Sequence, residues 1–405
     1  ERELLTIRLH HRLAYAYWFG RGQIPCLWTH LRCMNLAECY PPSAELAQAY
    51  SMHAPVMGLV AYFSRGISYA QRSFAVYKSL DDLWGQGQSL HFHGIVLFAA
   101  SRFDECIEKC RDAVRLLERT GDYWEVNVAR YHIAHSHYRL GELSSAVTEA
   151  RQMHQSGLDL GDIQASGGSL DVWAMASGGQ VNSETLQTEL QRRRADVQIS
   201  ATVMLAEGVR LFMLDHVDQA AVVFKRGHQV AEKAGLRSTY VFGIRVWLAS
   251  ALRRQAEKIS NWTPGKKYAI LNHASKVVGK AVKIARTFQN DLPHALRESG
   301  LIAAMQGSIR KARKCFDESL AVAERQGARF EHAQTLLARG RVGKEVGWPG
   351  AEDDLTTARQ ALHALGADFA LDVAIEPQGV TAKTATLRIT RYAFTLDQTR
   401  TWLKF

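Results

Sequence analysis

The chain has 405 residues, a formal net charge of +10 at pH 7 and a hydrophobic content of 47%. Single hydrophobic cores stop growing at about 250–300 residues, so this length excludes one compact core. No window of 18 residues is entirely apolar, which excludes a predicted membrane span. The chain begins with Glu1, and no Met or signal peptide precedes it, so we expect a fragment of a longer protein.

A unit of forty residues recurs along the sequence. Gly300 and Gly307 are followed forty positions later by Gly340 and Gly347, and an apolar stripe at helical spacing follows each pair. Two antiparallel helices cross closely only where both present small side chains, with larger side chains beside the crossing. A fixed period of this length therefore predicts a stack of two-helix units.

In chain order, the periodicity predicts nine helix pairs. Glycines interrupt the fifth pair at Gly167-Gly168 and Gly178-Gly179, so this pair is either a degenerate repeat or a local kink. The predicted fold class is all-α, a right-handed superhelical α-solenoid. The pairs are predicted at residues 1–41, 42–84, 88–120, 124–157, 161–195, 198–234, 238–288, 293–326 and 330–365.

The last forty residues follow a different pattern. Helical periodicity fails from Asp372, and residues 384–392 alternate in the manner of a strand. We therefore divide the chain into a helical-repeat array at 1–365 and a non-helical tail or linker at 366–405. Because a lone strand is not stable, the tail would pack on the last repeat, pair with a domain outside this chain, or serve as a linker.

Small and apolar residues recur at fixed offsets within two copies of the unit. They are Gly300, Gly307, Ile309, Ala312 and Phe316 in one copy, and Ala134, Tyr138, Gly141, Leu143 and Ala146 in the other. This pattern resembles the tetratricopeptide repeat, although the period is nearer 40 than the ordinary 34 residues of that family. The resemblance covers residues 1–365 and implies a protein-binding scaffold.

The longer period suggests a narrower relationship. Residues 321–328 and 331–340 look like the repeats of large bacterial signal-transduction ATPases of the STAND type. That group includes MalT-like regulators, ATPase-linked cyclases and serine/threonine kinases. In these proteins such an array senses a ligand or partner and relays its state to an ATPase or output domain. The resemblance implies that any such domain lies outside this chain.

Sequence motifs for catalysis are missing. The sequence contains no phosphate-binding loop, no Gly-x-Ser-x-Gly elbow and no kinase signature. We therefore predict no enzyme activity and no cofactor. The predicted function is a non-catalytic interaction and sensor scaffold.

The cysteines are predicted to be reduced. Cys106 and Cys110 lie four residues apart at small packing positions, and we interpret them as buried thiols instead of a redox pair. Reduced cysteines predict a cytoplasmic location. None of the six has the spacing of a zinc site; they are Cys26, Cys33, Cys39, Cys106, Cys110 and Cys315.

Histidines and aromatic residues of the first helices predict a groove. His132 and His135 share one helix, but a metal site needs a third ligand that the sequence does not supply. A polar-aromatic groove for a protein or peptide partner, or for neighbouring domains of the parent chain, and plain packing remain the alternatives. By repeat register, the groove residues are His91, Ile95, Phe98, Tyr131, His135, Tyr138, Leu205, Val209, Phe212, Arg297 and Leu301.

A basic patch is the second candidate surface. No Asp or Glu occurs between Lys258 and Asn290, and lysines follow one helix face at i, i+4 and i+7 in that stretch. The patch is either a solvated face or a site for nucleic acid, an acidic domain or anionic lipid. Nucleic-acid binding is the alternative function. The basic patch consists of Lys276, Lys280, Lys283, Arg310, Lys311, Arg313 and Lys314.

Overall fold

The computed structural model of the protein describes residues 2–20, 23–236, 238–259 and 264–372, and the predicted strand-like segment at 384–392 lies outside them. The described residues form α-helices joined by short turns, with a 3₁₀ turn at Gln289–Asp291. The helices are α1 Arg2–Gly20, α2 Gln23–Ala37, α3 Ala44–Leu59, α4 Phe63–Ser79, α5 Leu83–Ala99, α6 Phe103–Thr120, α7 Tyr123–Leu140, α8 Leu143–Leu160, α9 Ile163–Gly168, α10 Leu170–Ala176, α11 Ser183–Gln191, α12 Val197–Met213, α13 Val217–Lys233, α14 Thr239–Lys258, α15 Pro264–Ala285, α16 Leu292–Met305, α17 Ile309–Arg325, α18 Arg329–Val346, α19 Ala351–Ala364 and α20 Phe369–Asp372.

The helices form an all-α, right-handed superhelical solenoid, as the sequence predicted. Each of the nine predicted pairs corresponds to an observed one, from α1 with α2 to α18 with α19. The first helices of successive pairs pack on one another, as α5 does on α7 and α14 on α16. They form the inner layer, and the second helices form the outer layer. Thus α7 buries 14 of its 18 residues, whereas α6 buries only 7 of 18 along one stripe.

The repeat length follows from the turns. A left-handed residue ends a helix at twenty-residue intervals, with φ between 53° and 80° at Asp81, Ser101, Gly121, Gly141 and Gly161. A helix with its turn therefore occupies twenty residues, and a helix pair forty. Glycine adopts this conformation without the steric cost that a Cβ adds. None of the described helices is both long and apolar enough to cross a membrane.

The helices of a pair cross at a glycine. A Cβ added to Gly300 would lie 2.6 Å from the ring of Phe316, and one added to Gly208 would lie 2.3 Å from the ring of Phe224. Both rings are fully buried. In each case the aromatic residue follows the glycine by sixteen positions and fills the space that a missing side chain leaves. These contacts are the small-against-large packing that the repeat pattern indicated.

The fifth pair contains a break. Its first helix is divided in two, because α9 ends at Gly168 and α10 begins at Leu170. The guanidinium of Arg194 lies against Gly167, where a Cβ would come within 2.8 Å of its Nη2, and Arg194 Nε donates to the carbonyl of Ile163 at 3.0 Å. The predicted interruption at Gly167-Gly168 is therefore a kink in a retained repeat.

The solenoid winds far enough for distant repeats to touch. Asn290 joins the two regions, because its Nδ2 donates to the carbonyl of Phe98 and its Oδ1 accepts from Ser101, both at 3.0 Å. The buried side chains of Arg139 and Asp291 form an ion pair beside it. These contacts, which join residues 152 to 192 positions apart, fix α5 and α7 against the start of α16.

Two buried histidines lie between α2, α3 and α4. His30 Nε2 and His53 Nδ1 are 3.0 Å apart, and Arg65 Nε donates to His53 Nε2 at 3.2 Å. Because His53 Nε2 accepts this bond, its Nδ1 carries the proton that is donated to His30. Burial lowers the pKa of His30 to about 3 and that of His53 to about 4, with a further lowering by His53 and His11 at His30 and by Arg65 at His53. Both imidazoles are therefore neutral in the folded protein at neutral pH.

We predict that stability falls between pH 7 and pH 5. In this window the unfolded chain protonates these histidines near pH 6.5 while the folded chain does not, so the unfolded state binds more protons and acid favours it. Each histidine contributes up to about 1.4 kcal/mol per pH unit below 6.5. Urea unfolding midpoints at pH 7, 6 and 5 measure this loss of stability. These pH values lie above the range in which most carboxylates titrate. A midpoint that is constant across this window would contradict the prediction.

A second prediction concerns the glycine crossings. Gly208→Ala should lower the urea midpoint, because overpacking against Phe224 costs about 1–3 kcal/mol. Gly279→Ala is the matched control. Gly279 lies in α15 with no atom within 4 Å of an added Cβ, so alanine there should raise the free energy of unfolding by up to about 1 kcal/mol, and with it the midpoint. Equal effects of the two substitutions would show that the crossing is not tightly packed.

Candidate ligand-binding cavity

A cavity of about 210 Å³ lies in the inner layer of the solenoid. First helices α3, α5 and α7 contribute to its walls, together with Tyr240 of α14 and the N-terminal ends of α9 and α12. The side chain of Trp124, which is 37% exposed, lies at its rim. The cavity therefore opens to solvent and has room for on the order of fifteen water-sized spheres.

The walls of the cavity are mainly apolar. Apolar and aromatic side chains contribute most of the lining; examples are Met52, Val56, Phe92, Ile95 and Val128. A concave, largely apolar cavity with a few convergent polar groups is typical of sites for organic ligands and peptide side chains. The polar groups therefore decide what such a ligand must offer.

Asn127 is the most informative polar group. Its side chain is 1% exposed and lines the cavity, yet neither Oδ1 nor Nδ2 has a hydrogen-bond partner. Leaving a buried donor or acceptor unsatisfied costs about 1–3 kcal/mol. Asn127 thus presents one unpaired donor group and one unpaired acceptor, and both lower the stability of the free protein.

His91 provides a third buried polar atom. Its Nδ1 hydrogen-bonds Glu125 Oε2, and the other oxygen of Glu125 accepts from Gln88 Nε2 at 3.1 Å. Both oxygens of the carboxylate are therefore engaged, which fixes the orientation of the imidazole. Nε2 is the ring nitrogen left without a partner, and His91 lines the cavity.

His132 and Tyr240 form a buried pair in the same wall. His132 Nδ1 lies 2.8 Å from the carbonyl of Val128, so it carries the proton, and Nε2 accepts from the Tyr240 hydroxyl at 2.7 Å. Burial, with His91 nearby, lowers the pKa of His132 well below its usual value. The polar atoms of both side chains form hydrogen bonds within the protein. The pair therefore contributes an uncharged part of the wall and offers no unpaired atom to a ligand.

The charge of the lining is negative. Asp162 and Asp196 line the cavity, which has no Lys or Arg among its described lining residues. Both carboxylates cap helix N-termini: Asp162 accepts from Gln164 N at 2.9 Å, and Asp196 from Gln198 N at 2.8 Å. Burial raises the pKa of Asp196, against the opposing effect of those backbone bonds. The site therefore favours a neutral or cationic ligand over an acidic one.

Six of the predicted groove residues lie at cavities. His91, Ile95 and Tyr131 line the main cavity. Tyr131 also contributes, with Phe98, His135 and Leu205, to a second cavity of about 10 Å³. Tyr131 and Tyr240 belong to both linings, so the two cavities are adjacent.

The other five predicted groove residues line neither cavity. Tyr138 is buried against Phe330, and Phe212 against Trp247. Arg297 is buried in an ion pair with Glu331. Val209 is fully buried, and Leu301 is partly buried beside the cluster that contains Phe316. Repeat register places these side chains in the inner layer, but the inner layer is closed by packing at these repeats.

Repeat register could also have predicted Asn127 as a lining residue of the cavity. Asn127 lies one helical turn before Tyr131 on α7, so it belongs to the same helix face. Gln164 and Gln198 gave no signal of this kind, because they lie in the first turns of α9 and α12 and line the cavity from the helix ends. Their position depends on the superhelical winding, which no local pattern encodes.

The cysteines and histidines supply no metal centre in the described part of the chain, where no group of three or more His, Cys, Asp or Glu is arranged to hold an ion. The Sγ atoms of Cys106 and Cys110 are 4.0 Å apart and fully buried. Their mutual contact and burial raise the pKa of Cys110 well above its usual value. Both thiols are buried packing groups.

We predict that Asn127→Leu raises the free energy of unfolding. The substitution removes two unsatisfied polar atoms and keeps the branching and the number of side-chain heavy atoms, so a gain of about 1–3 kcal/mol is expected. Asn290→Leu is the matched control. Asn290 is also buried, at 2% exposure, but both its amide atoms are paired, so its loss should destabilise by a similar amount. Urea unfolding of both variants tests the contrast, and loss of stability in both would contradict it.

Comparison with known proteins establishes the fold. No family model matches the sequence, and no curated protein matches it. Among solved structures, a crystal structure of a Rap protein complexed with competence and sporulation factor is similar, with a TM-score of 0.62 and 12% sequence identity. The match covers 92% of this chain and 99% of that one. The relationship to MalT-like ATPases stays a prediction, and the chain is a helical-repeat array similar in fold to a Rap protein.

Proposed function

We propose that this chain is a non-catalytic sensor scaffold that binds a short extended peptide segment in the main cavity. The observation that carries the proposal is the unpaired amide of Asn127, held with the free Nε2 of His91 in an apolar pocket. The Rap protein, which shares this fold, is complexed with competence and sporulation factor. That complex supports a role for such an array in holding a regulatory ligand.

A peptide group matches the unpaired amide. Every non-proline residue of a peptide offers one N–H donor and one C=O acceptor, and the Asn127 side chain offers one acceptor and a donor group in return. Two hydrogen bonds would satisfy both atoms. Apolar walls on either side would take the ligand's side chains, and His91 Nε2 would take one further polar group.

The two carboxylates at the cavity limit the sequence of the ligand. Because Asp162 and Asp196 are the charged lining groups in the described structure, an acidic segment would meet repulsion. We therefore propose a peptide that is neutral or basic at the residues inside the cavity.

Binding would be relayed through curvature. The cavity lining combines α3, α5 and α7 with α9, α12 and α14, so a ligand that touches both groups favours one angle between them. In solenoids, small rotations between repeats add along the array. We propose that residues 1–365 form this sensing unit and that residues 366–405 link it to neighbouring domains.

The resemblance to MalT-like proteins suggests what receives the signal. We propose an ATPase or output domain in the parent chain, with protein partners as further contacts, and a cytoplasmic location. All six cysteines are free thiols, which fits a reducing compartment.

The test is to select heptapeptides that bind the wild-type chain from a random display library. Calorimetry then measures the affinity of the enriched sequences for the protein. Val128→Trp fills the cavity, because Val128 lines it and is partly exposed. We expect at least a tenfold loss of affinity in this variant. Asn127→Leu should lose about tenfold as well, since each 1.4 kcal/mol of hydrogen bonding corresponds to a factor of ten.

Val222→Trp is the matched control for the cavity-filling variant. Val222 is 68% exposed on the outer helix α13, so the same change there should leave affinity within about twofold of wild type. Peptides that bind all variants equally, or a selection that enriches no sequence over the background, would overturn the proposal.

A further inference from the structure

Helix α15 presents lysines on its outer face and contains no carboxylate. Lys276, Lys280 and Lys283 are all exposed, and their spacing of four and three residues places them on one side of the helix. The opposite side is buried through Ala274 and Val278. The stripe is therefore a fixed row on the outer layer of the solenoid.

The next outer helix extends the row. The first two turns of α17 carry four exposed cations. The carboxylates that follow them are already engaged, since Glu318 pairs with Arg286 at 2.7 Å and Asp317 with Arg339 at 2.9 Å. The cations are Arg310, Lys311, Arg313 and Lys314.

The two helices present one continuous surface. The Arg286–Glu318 ion pair joins the end of α15 to α17, and Gln306 donates to Asn272 at 3.2 Å between the same repeats. Across the described residues, no carboxylate lies within ion-pair distance of any cation of the basic patch. Arg313 stacks on Trp348 at 5.2 Å, which orients the guanidinium and leaves its charge uncompensated.

We propose that the basic patch binds the phosphate backbone of a nucleic acid without sequence selectivity. Seven unpaired cations on one surface supply the electrostatic attraction that dominates such binding. One helical turn advances about 5.4 Å, and successive phosphates of a strand are spaced about 3.4 Å along the axis of a duplex. The lysine row of α15 therefore has a spacing of about one to two phosphates along one strand of a duplex.

The composition of the patch favours nucleic acid over other anionic partners. Protein interfaces have an apolar core that is depleted of charged residues, and membrane-surface helices bury large apolar side chains between lipids. The patch residues are all charged. Tyr268, two turns before Lys276 on α15, is 65% exposed, and an exposed aromatic ring is a face on which a base can stack.

This surface is independent of the cavity. The cavity is lined mostly by inner-layer helices and by the starts of α9 and α12, whereas the patch lies on outer helices α15 and α17. A peptide in the cavity and a nucleic acid on the patch therefore do not compete for the same groups. The proposal holds whether or not the cavity binds a peptide.

The experiment is fluorescence anisotropy of the full chain with a labelled 30-nucleotide single strand and the corresponding duplex. We expect dissociation constants in the micromolar range at 50 mM salt and a loss of about 40-fold at 200 mM salt, the value for three phosphate contacts on duplex DNA. The triple reversal Lys276→Glu, Lys280→Glu and Lys283→Glu should weaken binding at least 30-fold at 50 mM salt.

A second triple reversal is the matched control, with the same change in net charge. It replaces Lys78, Arg119 and Arg359 by Glu; these residues are exposed on outer helices α4, α6 and α19. We expect at most a threefold loss in this variant, and circular dichroism confirms that both variants are folded.

Three results would overturn the proposal. The first is an equal loss of affinity in the two triple variants, which would indicate an effect of net charge alone. The second is no binding to either nucleic acid at 50 mM salt. The third is tighter binding to polyglutamate or to phosphatidylserine vesicles than to nucleic acid. The last would assign the patch to an acidic polypeptide or a membrane surface.

Discussion

The close crossing of the two helices within a pair is the contact on which the solenoid depends. Where Gly208 faces Phe224 and Gly300 faces Phe316, the backbones approach until a ring occupies the place of a missing side chain. A glycine also faces a larger side chain of the second helix where Gly94 meets Cys110 and where Gly340 meets Leu355. Because close packing restricts the geometry of each crossing, it also determines the angle between pairs and the path of the inner layer. The cavity is a consequence of that path.

The cavity is distinguished by an amide side chain whose two polar atoms are both unpaired. Single unpaired atoms occur elsewhere in the described interior, as at Ser136 and Gln326, whereas the buried amide of Asn290 is fully paired with Phe98 and Ser101. At the cavity, Asn127 and His91 hold polar atoms without partners. Unpaired buried atoms lower the stability of the free protein, and a ligand can supply their missing partners. Such positions are expected in binding sites, because function and stability are commonly in conflict there.

The sequence predicted the architecture more completely than the site, for a physical reason. Turn residues such as Gly121 and Gly141 and crossing residues such as Gly300 act locally, so their spacing alone predicts the helix pairs. The cavity, in contrast, combines α7 with the ends of α9 and α12. Repeat register predicted His91 and Tyr131 on the inner layer, where both line the cavity, yet it could not show that the inner layer closes around Phe212. That closure depends on the cumulative winding of several repeats.

The contacts of Asn290 and Asp291 with α5 and α7 also have a consequence for folding kinetics. Each helix pair forms from residues near in sequence, at a small loss of chain entropy, whereas these contacts close loops of 152 to 192 residues. Contacts between residues so far apart in sequence are slow to form. We therefore expect the helix pairs to assemble before the superhelical turn closes.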